Sequence, residues 1–161
     1  MSVGAKPGIF SDFQEYLNAD HQLREEIRTV VHDIEQTARE IQTKLQLIHQ
    51  AEGIKKVSTI CKEARDDFSK VRDQIAKLAE KIPNNQYYRF HDQWRFVLQR
   101  LTSLAALITY LETETLIGRD EAAAMIGVKV KRDDGFHIDL DDYLMGLLQV
   151  ATELSRLAIT Q

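Results

Sequence analysis

Between Asp20 and Leu116 the chain carries one proline and one glycine. Over the same span its apolar residues return every three or four positions, the period of a helix with one buried face. So few breakers over so long a stretch restrict the fold to long helices. Residues 9–50 read as one long helix, or two joined near Asn18 to Asp20. Phe10, Phe13 and Leu17 form a short stripe, and Asp20 is suited to cap a helix starting just after it. Leu23, Ile27, Val30, Ile34, Ala38, Ile41, Leu45 and Ile48 continue the pattern, with Gly53 as its stop.

A second helix is expected from Val57 to Lys81, with Cys61, Ala64, Phe68, Val71, Ile75 and Leu78 on its inner face, ended by Pro83 and two asparagines. A third is expected from Gln86 to Leu116. Phe90, Trp94, Val97, Leu101, Leu104, Ile108 and Leu111 form its stripe, and its latter half is apolar nearly all round, which marks a central helix. A short helix over Asp120 to Ile126 closes at Gly127, and a charged loop runs from Val128 to His137. Asp139 is placed to cap the last helix, with Leu140, Leu144, Leu147, Val150 or Ala151, Leu154 and Leu157 as its stripe. Such helices bury their stripes only against one another. The expectation is an all-α antiparallel bundle of long helices, one domain over residues 1–161 with residues 1–8 as a flexible tail. Rods of this length have much lateral surface, and leftover apolar surface would make the bundle oligomerise.

Cys61 is the only cysteine, which excludes an internal disulfide or a multi-cysteine zinc site and fits a reducing home. Met1 to Gly8 lacks the apolar run of a signal peptide. No run reaches the roughly 18 apolar residues that span a bilayer, so no membrane partner is expected.

The net charge of -4 hides local asymmetry. Residues 54–72 are net positive through Lys55, Lys56, Lys62, Arg65, Lys70 and Arg72, and residues 86–100 through Arg89, Arg95 and Arg100. Residues 133–161 are strongly acidic. Such segments are either solvated helix faces or a basic surface on an acidic protein. The run Tyr87 to Phe96 packs five aromatics and two arginines into ten positions. Aromatic faces stack on unpaired bases, and arginine adds phosphate contacts. Phe90 and Trp94 lie on the stripe and read as core. Tyr87, Tyr88 and His91 are freer to face solvent. Arg89 and Arg100 share a helical face, and Arg95 points elsewhere.

Glu112, Asp142 and Glu153 are the acids to weigh for metal-dependent phosphodiester cleavage, which needs converging carboxylates. Their structural reading is a helix-end residue, an N-terminal dipole partner and an ion pair with Arg156. The five histidines suggest no metal site by spacing, and there is no phosphate-binding glycine loop.

Several strings together resemble the translin family. They are Leu23 to Arg28 with Glu35 to Ile41, Gln86 to His91 with Trp94 to Leu101, Tyr110 to Leu116, and Gly135 to Asp139 with Asp142 to Leu144 and Glu153 to Leu157. They stand in the family's order along nearly the whole chain. They look nearer to its nucleic-acid-binding subunit than to the paralogue, translin-associated factor X.

The resemblance implies an all-α fold, a ring-like or barrel-like octamer, and binding of single-stranded DNA and RNA that needs no cofactor. It also implies a Mg²⁺-dependent endoribonuclease formed with translin-associated factor X, acting in small-RNA silencing and tRNA processing. A cytoplasmic and nuclear location goes with that role. The family's two basic regions fall on Lys55 to Arg65 and on Arg89 to Arg95. The nucleic-acid-binding residues implied are Lys55, Lys56, Lys62, Arg65, Tyr87, Tyr88, Arg89, His91 and Arg95. By the Tyr-Leu-Glu and Asp-Tyr-Leu strings, Glu112 and Asp142 match two of the paralogue's catalytic acids. A further acid is expected just before Tyr110, where this chain has Thr109. That departure implies a binding and scaffolding subunit with at most weak nuclease activity. The family also continues with C-terminal helices past the position of Gln161.

Overall fold

The structure is a computed structural model describing residues 6–50 and 54–160, with side-chain environments for 8–50 and 55–156. The Gly53 stop and the Leu157 side chain lie outside the described residues. Six α-helices and a few 3₁₀ turns make up the fold, and the described residues contain no β-strand. No described helix is long and apolar enough to cross a membrane.

Helix α1 runs unbroken over Lys6–Gln46. It starts earlier than the expected tail boundary, with Pro7 in the first turn, where a missing N–H costs nothing. Asp20 is not a cap. It sits mid-helix, and its carboxylate accepts from Arg24 Nε at 2.9 Å. From Ile27 onward Val30, Val31, Ile34, Ala38, Ile41 and Leu45 are buried. Residues 8–19 are exposed throughout, so the first stripe of α1 is not buried among the described residues.

Helix α2 spans Val57–Lys81 and buries the expected stripe from Cys61 to Leu78, together with Ile60. It packs antiparallel to α1: Lys44 meets Asp67 at 2.6 Å near one end, and Gln74 donates to the Asp33 carbonyl further along.

The expected third helix is broken. Helix α3 is only Tyr87–Phe90, a 3₁₀ turn occupies His91–Gln93, and helix α4 follows over Arg95–Thr113. The Trp94 N–H bonds the His91 carbonyl at 3.1 Å. This tighter turn aims Tyr87, His91 and Trp94 into one aromatic cluster with Phe136 and His137. α4 buries residues all round, from Val97 to Thr109, and is the central helix. It stops three residues early because Glu114 takes a left-handed conformation, φ 58°.

Helix α5 covers Arg119–Ile126 and ends on Gly127, φ 94°. A Cβ there would sit 3.1–3.3 Å from Arg72, so conformation and space both favour glycine. The loop after it is pinned by Arg119, whose guanidinium donates to the Val130 and Ile138 carbonyls at 3.2 and 2.8 Å.

Helix α6 spans Leu140–Thr160. Gln99 meets Asp142, and Thr102 meets Gly146, so α6 runs parallel to α4. α1/α2 and α2/α4 are the antiparallel pairs of the bundle. Of the expected stripe of α6, Leu147, Val150 and Leu154 pack against the core, but Leu140 and Leu144 are exposed and Asp142, Tyr143 and Gly146 face inward in their place. The cause is Gly146, whose missing side chain lets α6 approach α4 more closely than any other residue would permit.

Candidate nucleic-acid interface

The two basic stretches are not brought together within the chain. Lys55, Lys56 and Lys62 are exposed at the start of α2. Arg89 and Arg95 lie near the other end of α2, about 30 Å away at 1.5 Å per residue. Arg65 is engaged with Glu112, Nη2 to Oε1 at 2.5 Å.

Around Tyr87 to Phe96 the structure redistributes the expected roles. Tyr87 turns inward, stacks on His137 at 4.1 Å and donates its hydroxyl to the His137 carbonyl at 2.6 Å. Burial pushes its phenol pKa up. His91 also turns inward, and its Nε2 lies 2.7 Å from Asp142 Oδ2. The expectation that both are freer to face solvent is reversed by the 3₁₀ turn. Arg89 is held by an ion pair with Asp20 and by a hydrogen bond to the Tyr16 hydroxyl at 3.0 Å, so it braces α3 against α1. The helix break also cancels the shared face of Arg89 and Arg100. Arg100 instead lines a cleft with Gln42, Gln149 and Glu153.

Two aromatics of the Tyr87 to Phe96 segment remain open to solvent, and each carries an arginine. Tyr88 is 46% exposed with the Arg132 guanidinium 4.9 Å above its ring. Phe96 is 67% exposed with the Arg95 guanidinium 5.0 Å above its ring. The nearest acid to Arg95 is Asp92 at 3.8 Å, itself almost fully exposed. Tyr88 and Arg132 line a cleft of about 500 Å³ with Asn84, Asn85 and His137. Lys129 and Lys131 are exposed on the same loop. Sequence reasoning missed Arg132, which lies 44 positions from Tyr88 with no motif linking them. It counted Phe96 among the aromatics without singling it out.

The three acids do not converge. Glu112 pairs with Arg65, Glu153 with His49 at 3.0 Å and Arg156 at 3.0 Å, and Asp142 with His91 and Gln99. Gln99 and Glu112 are 13 residues apart on α4, roughly 20 Å, so Asp142 and Glu112 cannot share an ion. The structure does assemble a group that histidine spacing gave no sign of. His91, Asp139 and Asp142 have ligand atoms all within 4.8 Å of one another.

The translin family model matches residues 22–161. Translin of Mus musculus is 50% identical over 151 residues, covering 94% of this chain and 66% of that protein. Translin of Homo sapiens gives the same identity and coverage. Translin of Gallus gallus is 50% identical over 159 residues, covering 99% of this chain and 68% of that protein. The chain thus spans 66% of the length of its mouse and human relatives. With the family pattern running from Gln22 to Gln161 across all of α2 to α6, the chain belongs to the translin family.

Proposed function

We propose that this chain binds single-stranded DNA and RNA as part of an oligomeric scaffold. The observation that carries the reading is the pair of solvent-facing stacks, Tyr88 with Arg132 and Phe96 with Arg95. An exposed aromatic face accepts an unpaired base of any sequence, and an adjacent guanidinium takes the phosphate or caps the stack. Lys129 and Lys131 add positive potential, and Lys55, Lys56 and Lys62 extend it at the far end of the bundle. A single strand reaching both ends would follow an assembly rather than one chain.

Oligomerisation is supported by two apolar faces exposed among the described residues, Ile9, Phe10 and Phe13 on α1 and Leu140, Leu144 and Leu148 on α6. Family membership extends the proposal to an octameric assembly. Support of translin-associated factor X in small-RNA silencing and tRNA processing, in cytoplasm and nucleus, belongs to it too. In that pairing the Mg²⁺-dependent cleavage is the partner's, because Glu112, Asp142 and Glu153 here are spread along the bundle and engaged in other contacts.

The test is fluorescence anisotropy of a labelled single-stranded oligonucleotide. Arg95→Glu/Arg132→Glu should weaken binding at least tenfold and reduce its salt dependence. Tyr88→Ala/Phe96→Ala should weaken binding with the salt dependence retained. Unchanged affinity in both double variants refutes the reading.

A further inference from the structure

We propose that His91, Asp139 and Asp142 form a binding site for one divalent transition cation, with Zn²⁺ the best match. The three residues come from the 3₁₀ turn before α4, the residue preceding α6 and the first turn of α6. Their ligand atoms all lie within 4.8 Å of one another. Zinc bonds to imidazole nitrogen and carboxylate oxygen are about 2.0–2.2 Å, which sets ligand atoms roughly 3–4 Å apart around one ion. Only small side-chain adjustments separate this arrangement from a three-ligand site with a position left for water.

The surroundings orient the ligands. Gln99 Nε2 donates to Asp142 Oδ1 at 3.0 Å, leaving Oδ2 toward His91. The Tyr88 hydroxyl donates to Asp139 Oδ1 at 2.7 Å, and His137 Nε2 lies 2.9 Å from the same atom. Asp139 Oδ2 carries no protein hydrogen bond among the described residues. Asp139 is thus fixed through Oδ1, and Asp142 is fixed through Oδ1 by Gln99 with Oδ2 on His91 Nε2, a bond that a shared ion would replace, the way outer contacts hold metal ligands.

Charge points the same way. Asp142 is 2% exposed, held by Gln99 through Oδ1 and facing His91 through Oδ2. Two carboxylates face one imidazole at the cluster. Arg95 is the nearby cation acting on Asp142, and Arg132 acts on Tyr88. The N-terminal end of α6 opposes a cation, but its partial charge is smaller than the two formal negative charges. The imidazole favours Zn²⁺ over Mg²⁺, which prefers all-oxygen ligand sets. A bound ion would tie the α3–α4 turn to α6 directly beneath Tyr88.

The experiment is calorimetric titration of chelator-treated protein with ZnCl₂ and with MgCl₂ at pH 7.5, with circular dichroism confirming the fold. One Zn²⁺ per chain, no saturable Mg²⁺ binding, and a 10- to 100-fold loss of Zn²⁺ affinity in His91→Gln and in Asp139→Asn support the site. His32→Gln, on exposed α1 surface, should bind as the parent does. Co²⁺ should give visible absorption bands that Asp139→Asn abolishes. If His91→Gln does not fold, the half-buried Asp139→Asn decides by the same criterion. Absence of stoichiometric Zn²⁺ binding overturns the site and leaves His91 as a hydrogen-bonding partner of Asp142 alone. Parent-like affinity in the Asp139 variant overturns it as well.

Discussion

Gly146→Ala tests how α6 is seated. A Cβ at this position would lie 2.6 Å from Thr102 Cβ, 2.7 Å from its Cγ2 and 2.8 Å from the Gln99 carbonyl oxygen. Non-bonded carbon atoms sit best at about 3.5–4.0 Å, so α6 must back away by roughly 0.5–1 Å. Neither the Gln99 oxygen nor Thr102 Cβ can swing aside, because one is backbone and the other is fixed to it. Retreat loosens Val150 and lengthens the Gln99–Asp142 hydrogen bond. Overpacking of this kind costs about 1–3 kcal/mol. Alanine's higher helix propensity offsets up to about 1 kcal/mol of it. The net expectation is destabilisation by about 1–2 kcal/mol. In urea denaturation followed by far-UV circular dichroism, the midpoint should fall by roughly 0.5–1 M at a slope of about 2 kcal/mol/M. Gly8→Ala is the matched control. Its Cβ would meet nothing within 4 Å, so propensity alone acts and the midpoint should stay or rise slightly. A Gly146→Ala midpoint at or above the parent would refute the close α4–α6 contact.

Burial raises the Cys61 thiol to about 11, with Glu112 adding to the shift against Arg65. At pH 8 it should therefore resist a disulfide reagent in the native state and react only once denaturant is added. The hydrogen bond from Arg24 leads the effects that hold the Asp20 carboxyl below the usual range. The stability this contributes is present above the unfolded carboxylate pKa of about 3.9 and is lost as pH falls through the lower folded value. Asp20→Asn should accordingly lower the urea midpoint at pH 6, and the gap to the parent should shrink by pH 3. Glu112→Gln removes a half-exposed ion pair with Arg65, so stability should change by less than about 1 kcal/mol and oligonucleotide affinity should hold.

Helix content was legible where one periodicity ran without competition. α2 begins at Val57 and ends at Lys81, where the stripe and Pro83 place it. α4 is central, as its all-round apolar half implies. The misreadings share a physical cause, which is that tertiary contacts overrode a continuing pattern. The apolar period passes smoothly through Phe90, Trp94 and Val97, yet packing of Tyr87, His91 and Trp94 on Phe136 and His137 favours a 3₁₀ turn there. The leucines of α6 form a helical row, yet a single small residue decides which face meets α4. The interface was half legible. The density of aromatics and arginines drew attention to the right segment, but exposure separates Tyr88 and Phe96 from Tyr87, and Arg132 arrives from a distant loop. Asp139 and Asp142 read separately, as a helix cap and as an acid in the first turn of the last helix. Nothing in the spacing linked them to His91, 48 positions before Asp139.

Native mass spectrometry of the chain, with and without a short single-stranded oligonucleotide, tests assembly and binding together. The expected result is an oligomer whose mass rises by a whole number of oligonucleotides, and an added mass that disappears in Arg95→Glu/Arg132→Glu while the oligomer persists. A monomer whose mass does not change when the oligonucleotide is added would contradict it.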